Sequence, residues 1–178
     1  MDPPQTRFTA LLDEHRGIVL KVAATYCREA HDRQDLSQEI TLQLWRAFPQ
    51  FDPTRSFSTW MYRIALNVAI SHLRGAARGE RTSALDDVPE SHSALHVDDH
   101  SAQLAENQQL RMLYAVIERQ SGLDRALLML WLEDRSQREI ADILGISESN
   151  VATKLNRLKE RIREQLNNPD PTSHGAQT

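Results

Sequence analysis

The side chains whose types and spacing best suit chemistry are Asn150, Lys154, Arg157 and Arg161, which recur at steps of four, three and four residues. On a helix that spacing lines them along one face. Asn, Lys and Arg hydrogen-bond purine edges and phosphates, so the stripe suits a nucleic-acid groove. Lys159 and Arg163 add charge, with Glu160 and Glu164 set against them. A second stripe lies upstream: Arg63, Asn67, Ser71 and Arg74, at steps of four, four and three. Its helix, expected from Ser58 or Thr59 to about Arg74, is otherwise apolar almost all round, with Trp60, Met61, Ile64, Leu66, Val68, Ile70 and Leu73. Such a helix should be clamped between neighbours, leaving the polar stripe as its exposed edge. Phe57, Trp60 and Tyr62 lie beside it, and aromatics next to basic groups suit single-stranded DNA, while the alternative is that Trp60 and Phe57 are simply core.

The elements that position the first stripe are readable around it. Ser136 and Glu139 have the S-x-x-E spacing of a capping box, and Ile140, Ala141, Ile143 and Leu144 form one apolar face. Gly145 should end that short helix with a positive φ, and Ser147 should cap the next one. Val151, Leu155, Leu158, Ile162 and Leu166 give the second helix its buried side. Two short helices joined by a glycine turn make a helix-turn-helix, whose second helix enters a DNA major groove.

An acidic patch, Asp32, Asp35, Gln38 and Glu39, opens the second helix of the chain. Carboxylates there complement the helix dipole, and they could also dock on a basic partner surface. Asp32 is the expected N-cap, with Leu36, Ile40, Leu44, Trp45 and Phe48 buried behind it. The first helix is expected over 6–26, burying Phe8, Leu11, Leu12, Ile18, Val19, Val22 and Tyr26.

The organisation is therefore all-α: two small helical domains at 1–74 and 104–166, joined by a flexible acidic linker at 75–103 and followed by a disordered tail at 167–178. The linker reading rests on small, polar and acidic residues that cannot bury enough apolar surface to offset their ordering entropy. The second domain should hold helices near 103–120, 124–133, 137–144 and 148–166, the run 126–132 being its core helix. With 40% hydrophobic and only 6% aromatic residues, both cores are expected to be mostly aliphatic.

Several function classes are excluded. The longest apolar run, 126–132, is far short of the about 20 residues that span a bilayer, and MDPPQTRF lacks the apolar core of a secretory signal. Cys27 is the only cysteine, so an intramolecular disulfide or a cysteine metal cage is impossible, and a buried small hydrophobe is expected there. A cytoplasmic protein fits. No glycine-rich phosphate loop and no G-x-S-x-G occur, so an enzyme is not expected. His92, His96 and His100 would share a helical face able to bind zinc, but Pro89 and the surrounding Ser and Asp residues oppose a helix there. Neither metal nor cofactor is expected. The net charge of −4 and pI near 6.0 are not those of a chain that grips DNA alone by counterion release. A larger partner should supply most of the nonspecific DNA affinity.

Together these segments resemble the extracytoplasmic-function sigma factors of bacteria. The residues that carry the resemblance are FTALLDEHRGIVLKVAATYC, DRQDLSQEITLQLWRAFPQFD, FSTWMYRIALNVAISHLR and LDRALLMLWLEDRSQREIADILGISESNVATKLNRLKERIREQL. The pattern D-x-x-D-L-x-Q-E followed by F-S-T-W-M-x-R-I-A-x-N is the specific part. The resemblance implies a non-enzymatic factor that gives RNA polymerase its promoter specificity. It implies that Asp32, Asp35, Leu36, Gln38 and Glu39 dock on core RNA polymerase. It implies that Arg63, Asn67, Ser71 and Arg74 read the minus-ten element of promoter DNA, and that Ser149, Asn150, Thr153, Lys154 and Arg157 read the minus-thirty-five element. An anti-sigma factor is a further partner that the family implies. The chain departs from the family pattern at Gln34, Ser71 and the pair Ser121-Gly122, where acidic, aspartate and leucine-proline residues are common. The rival reading is a stand-alone helix-turn-helix regulator with an N-terminal sensing or dimerising domain, which would footprint a palindrome without polymerase.

Overall fold

A computed structural model describes residues 4–83 and 115–167, and every regular element among them is helical. The chain divides into two compact units, Met1–Arg125 and Ala126–Thr178.

In the first unit α1 (Pro4–Tyr26), α2 (Ala30–Ala47) and α3 (Phe57–Ser83) each pack against the other two. Leu36, Ile40 and Leu44, four residues apart, form a fully buried spine along α2. Phe8, Ile18, Val19 and Val22 of α1 and Met61, Ala65, Leu66 and Ala69 of α3 complete the core. Leu11 and Leu12, expected there, are half-buried. Cys27 is buried, and desolvation, then Asp32, pushes its thiol pKa up, as fits an inert hydrophobe.

The start of α2 corrects the expected cap. Glu29 occupies the N-cap position with an extended backbone and no side-chain cap bond, and Asp32 lies in the first helical turn. Asp32 therefore meets the helix as a charge at its positive end. At the other end Pro49 stops the regular helix, and the chain continues as a short 3-10 turn, Phe48–Gln50. Asp52 accepts from the Thr54 backbone N–H at 2.9 Å and from its hydroxyl at 2.7 Å, which shapes the turn into α3. Ser56 caps α3, accepting from the Thr59 N–H at 3.4 Å. The helix begins at Phe57 and runs through Ser83, beyond the expected end near Arg74 and into the expected linker. Ala76 and Ala77 follow Gly75 without a proline, so one glycine does not stop the helix.

The aromatic residues also differ from expectation. Phe8, Trp45, Phe48, Phe51, Phe57 and Trp60 gather into one cluster of the first unit, with ring centroids 5.1 Å apart in the Phe8–Trp45, Phe8–Phe48 and Phe51–Trp60 pairs. Scarce aromatics are concentrated here, so this core is not simply aliphatic. Trp45 sits at the cluster's edge and stays 41% exposed, because its helical position lies beside the Leu36–Ile40–Leu44 spine.

In the second unit lie most of α4 (Gly122–Leu132), then α5 (Gln137–Leu144) and α6 (Glu148–Asn167). Residues 115–118 are helical too. Ser121 caps α4: its hydroxyl accepts from the Asp124 N–H at 3.2 Å. Residues 126–130 of α4 are buried, whereas Trp131 and Leu132 emerge from the core, correcting the expectation for the whole run. Asp134, at φ 55°, turns the chain from α4 towards α5. The expected histidine cluster, most of the expected linker and nearly all of the expected tail lie outside the described residues.

Candidate nucleic-acid interface

The mount for α6 is built as its sequence dictates. The Ser136 hydroxyl accepts from the Glu139 N–H at 3.2 Å, while the Glu139 carboxylate accepts from the Ser136 N–H at 2.9 Å and from its hydroxyl at 2.8 Å. These bonds, and then the Arg135 guanidinium 3.1 Å away, hold the Glu139 carboxyl below its usual range. Gly145 adopts φ 68°, ψ 34°, and its N–H donates to the Ala141 carbonyl at 2.8 Å. The Ser147 hydroxyl then accepts from the Asn150 N–H at 3.3 Å, capping α6.

Val151, Leu155 and Leu158 are buried beneath α6. On its other side Ser149, Asn150, Thr153, Arg157 and Arg161 are exposed, with Lys154 half-buried among them. The Thr153 hydroxyl donates to the Ser149 carbonyl at 2.9 Å, so its oxygen remains as an acceptor. Lys159 is drawn elsewhere: its ammonium lies 4.3 Å from the Trp131 ring centre. That cation–π contact separates it from the charge of the Asn150, Lys154, Arg157 and Arg161 stripe.

On α3 the second stripe is also exposed, as Arg63, Asn67, Ser71 and Arg74, while Met61, Ala65, Leu66 and Ala69 are buried. Of the two readings of the aromatics beside it, the structure favours core. Tyr62 is 1% exposed and Phe57 is buried, so neither presents a face for a base; Trp60 is half-buried among Phe48, Phe51 and Phe57.

On α2, Asp32, Asp35, Gln38 and Glu39 are exposed together. His31 stands 3.5 Å from the Asp35 carboxylate, and Gln43 Nε2 donates to Glu39 Oε1 at 2.7 Å. Leu36 does not lie on this surface: it is fully buried and holds the acidic face from beneath. Beside that face an open groove of about 570 Å³ runs between α1 and α2, lined in part by Phe8, Gln38, Leu42 and Trp45. Sequence reading missed it. The available signal was Leu42, an apolar residue with no place in the buried spine of α2.

Two family descriptions match the chain: Sigma-70 region 2 over residues 11–79, and Sigma-70, region 4, over residues 110–162. The chain belongs to the sigma-70 family, in its extracytoplasmic-function branch. Relatives of this sigma factor span it nearly end to end. The RNA polymerase sigma-H factor of Pseudomonas aeruginosa is 28% identical, covering 89% of this chain and 86% of the relative. The extracytoplasmic-function sigma-E factor of Escherichia coli K12 is 28% identical, with coverages of 91% and 87%. SigW of Bacillus subtilis is 24% identical, with coverages of 91% and 90%. Two solved structures share the fold. CnrH, in complex with the cytosolic domain of CnrY, matches with a TM-score of 0.65 and 21% identity over 93% of this chain and 91% of that one. RpoE of Bartonella quintana, in complex with the anti-sigma factor NepR, matches with a TM-score of 0.65 and 17% identity over 93% and 98%. The sigma factor's task is promoter recognition, and the rival reading as a stand-alone regulator is not favoured. No helix among the described residues is long and apolar enough to cross a membrane, and no group of three or more metal-ligating side chains occurs among them.

Proposed function

We propose that this sigma factor docks on core RNA polymerase through the exposed face of Asp32, Asp35, Gln38 and Glu39, with Leu36 supporting that face from below. Arg63, Asn67, Ser71 and Arg74 then engage the minus-ten element, and Ser149, Asn150, Thr153, Lys154 and Arg157 engage the minus-thirty-five element. The polymerase supplies the catalysis and most of the grip on DNA; the sigma factor chooses the site and works in the cytoplasm, where its polymerase is. An anti-sigma factor restrains it, as the complexes of CnrH with CnrY and of RpoE with NepR suggest by likeness.

One observation carries this reading. A capped helix-turn-helix exposes an Asn, Lys and Arg stripe in a chain whose net charge is −4, so base-reading groups are present without the field for independent DNA binding. Transcription in vitro with core polymerase, followed by sequencing of the start sites, tests it. Discrete start sites preceded by an asymmetric two-part element are expected. Failure to join core polymerase, or start sites identical with and without the chain, would overturn it.

A further inference from the structure

The first unit does not end where the region 2 match ends: it takes in the chain as far as Arg125, just past the start of α4. The Tyr26 hydroxyl, at the end of α1, donates to the Gly122 carbonyl at 2.6 Å. Arg125 lies over the Tyr26 ring, 5.9 Å from its centre, and donates to the carbonyls of Glu118 and, at 3.2 Å, Gln120. Arg28 donates to the Glu118 carboxylate at 2.5 Å. Burial pushes the Tyr26 hydroxyl pKa up, against the opposing influence of Arg125, so the donor keeps its proton. Gly122 meets α3 as well: a Cβ there would stand 3.4 Å from Leu73 and 3.5 Å from Ile70. The sequence leaves the family pattern at Gly122, and glycine lets the backbone come this close. The start of α4 is thus fastened to residues that adjoin Ser71 and Arg74 of the minus-ten stripe.

That anchorage limits reach. From Arg125 the chain runs through the rest of α4, α5 and their turns before α6 begins at Glu148. Helices advance about 1.5 Å per residue and extended chain about 3.4 Å, so this path spans about 45 Å at most. Following α6 as far as Arg157 adds about 15 Å. The two promoter elements are named for positions roughly 25 base pairs apart, which occupy about 85 Å of duplex. A chain fastened at Tyr26 therefore falls short of one element or the other. Once unfastened, the stretch from Ser83 to Ala115 can extend to roughly 100 Å, which is enough.

We infer that the contact between Tyr26 and Gly122 is an autoinhibitory latch: closed, it confines the chain to one promoter element at a time, and core polymerase selects the released form. The inference rests on the sigma-factor reading above and adds a conformational step to it. A ligand that binds only the released form shows an affinity reduced by the fraction released.

Two opposite interventions test it, each on the full chain with its fold checked by circular dichroism. Tyr26→Phe removes the hydroxyl and keeps the ring. Loss of one hydrogen bond should enlarge the released fraction and raise transcription from two-element promoters, at limiting core polymerase, about fivefold. A fall or no change in a folded Tyr26→Phe protein would overturn the inference, because a hydroxyl with a merely structural role gives no gain when removed. The second intervention closes the latch. Arg28→Cys and Glu118→Cys, in a Cys27→Ala background, are joined by a cleavable thiol-reactive linker. Transcription from two-element promoters should fall about tenfold or more when the linker is in place, and recover when it is cut. Undiminished transcription by the joined chain would overturn the inference while the sigma-factor reading stands. No promoter-selective transcription by the unsubstituted chain would overturn the parent reading instead, and this one with it.

Discussion

The two helices proposed to meet DNA present different surfaces. On α6 the stripe stands on the outer side of a capped helix whose buried residues, Val151, Leu155 and Leu158, recur at steps of four and three. A convex helix of this kind fits the major groove of a duplex. On α3 the helix is embedded between α1 and α2, and half of its stripe opens on a concave groove. A concavity serves bases that have left the stack. The difference teaches that the same types, Asn and Arg at helical spacing, are presented on a convex face in one unit and beside a concave groove in the other.

Substitutions can break this comparison, beginning with the largest effect. Leu36→Ala and Leu158→Ala each empty a fully buried site, and each should cost about 2–5 kcal/mol in thermal or denaturant unfolding. Leu36→Met, which conserves volume, should keep polymerase binding near that of the unsubstituted chain. A selective loss of binding in a folded Leu36→Met protein would return Leu36 to the docking surface. Next, Asp35→Arg reverses charge on an exposed face and should weaken co-purification with core polymerase about tenfold or more while leaving helical circular dichroism unchanged. Unimpaired co-purification would remove α2 from the docking face.

Smaller effects sharpen the contrast. Arg157→Ala should lower discrimination between matched and mismatched upstream elements by about tenfold, with the minus-ten preference intact. Equal loss at both elements would mean that the two helices do not read separately. Ser136→Ala should destabilise the second unit by about 1 kcal/mol through loss of the capping box. The same box makes a pH prediction. Because Glu139 has a lowered pKa in the folded chain, its contribution is present at neutral pH and is lost as the medium is acidified through the carboxylate range. Acid should therefore narrow the stability gap between the unsubstituted chain and Ser136→Ala, as melting curves at falling pH would show.

Legibility followed how local the determining forces are. Ser136, Glu139, Gly145 and Ser147 act within a few residues of themselves, so the helix-turn-helix was readable almost to the residue. The spine Leu36, Ile40 and Leu44 was readable from period alone, yet the same motif assigned Leu36 to the surface, because a motif position carries no burial. Trp45 and Trp131 were placed inside because they adjoin apolar runs; their exposure depends on which neighbours the helices meet, which no single segment states. The groove between α2 and α3 was invisible for the same reason, since Gln43 and Asn67 belong to separate elements. The extension of α3 past Gly75 shows the opposite fault, where a composition shift was taken for a stop without a cap or proline to enforce it.

The left-handed backbone at Gly145 has a consequence for how such a factor changes its targets. The turn that aims α6 is set by a left-handed residue that side chains with a Cβ tolerate poorly, and by caps whose bonds run to the helix's own backbone. The outward residues of α6 can therefore be exchanged while its mounting angle is kept. New promoter sets become reachable by repainting one helical surface, without rebuilding the hinge that carries it.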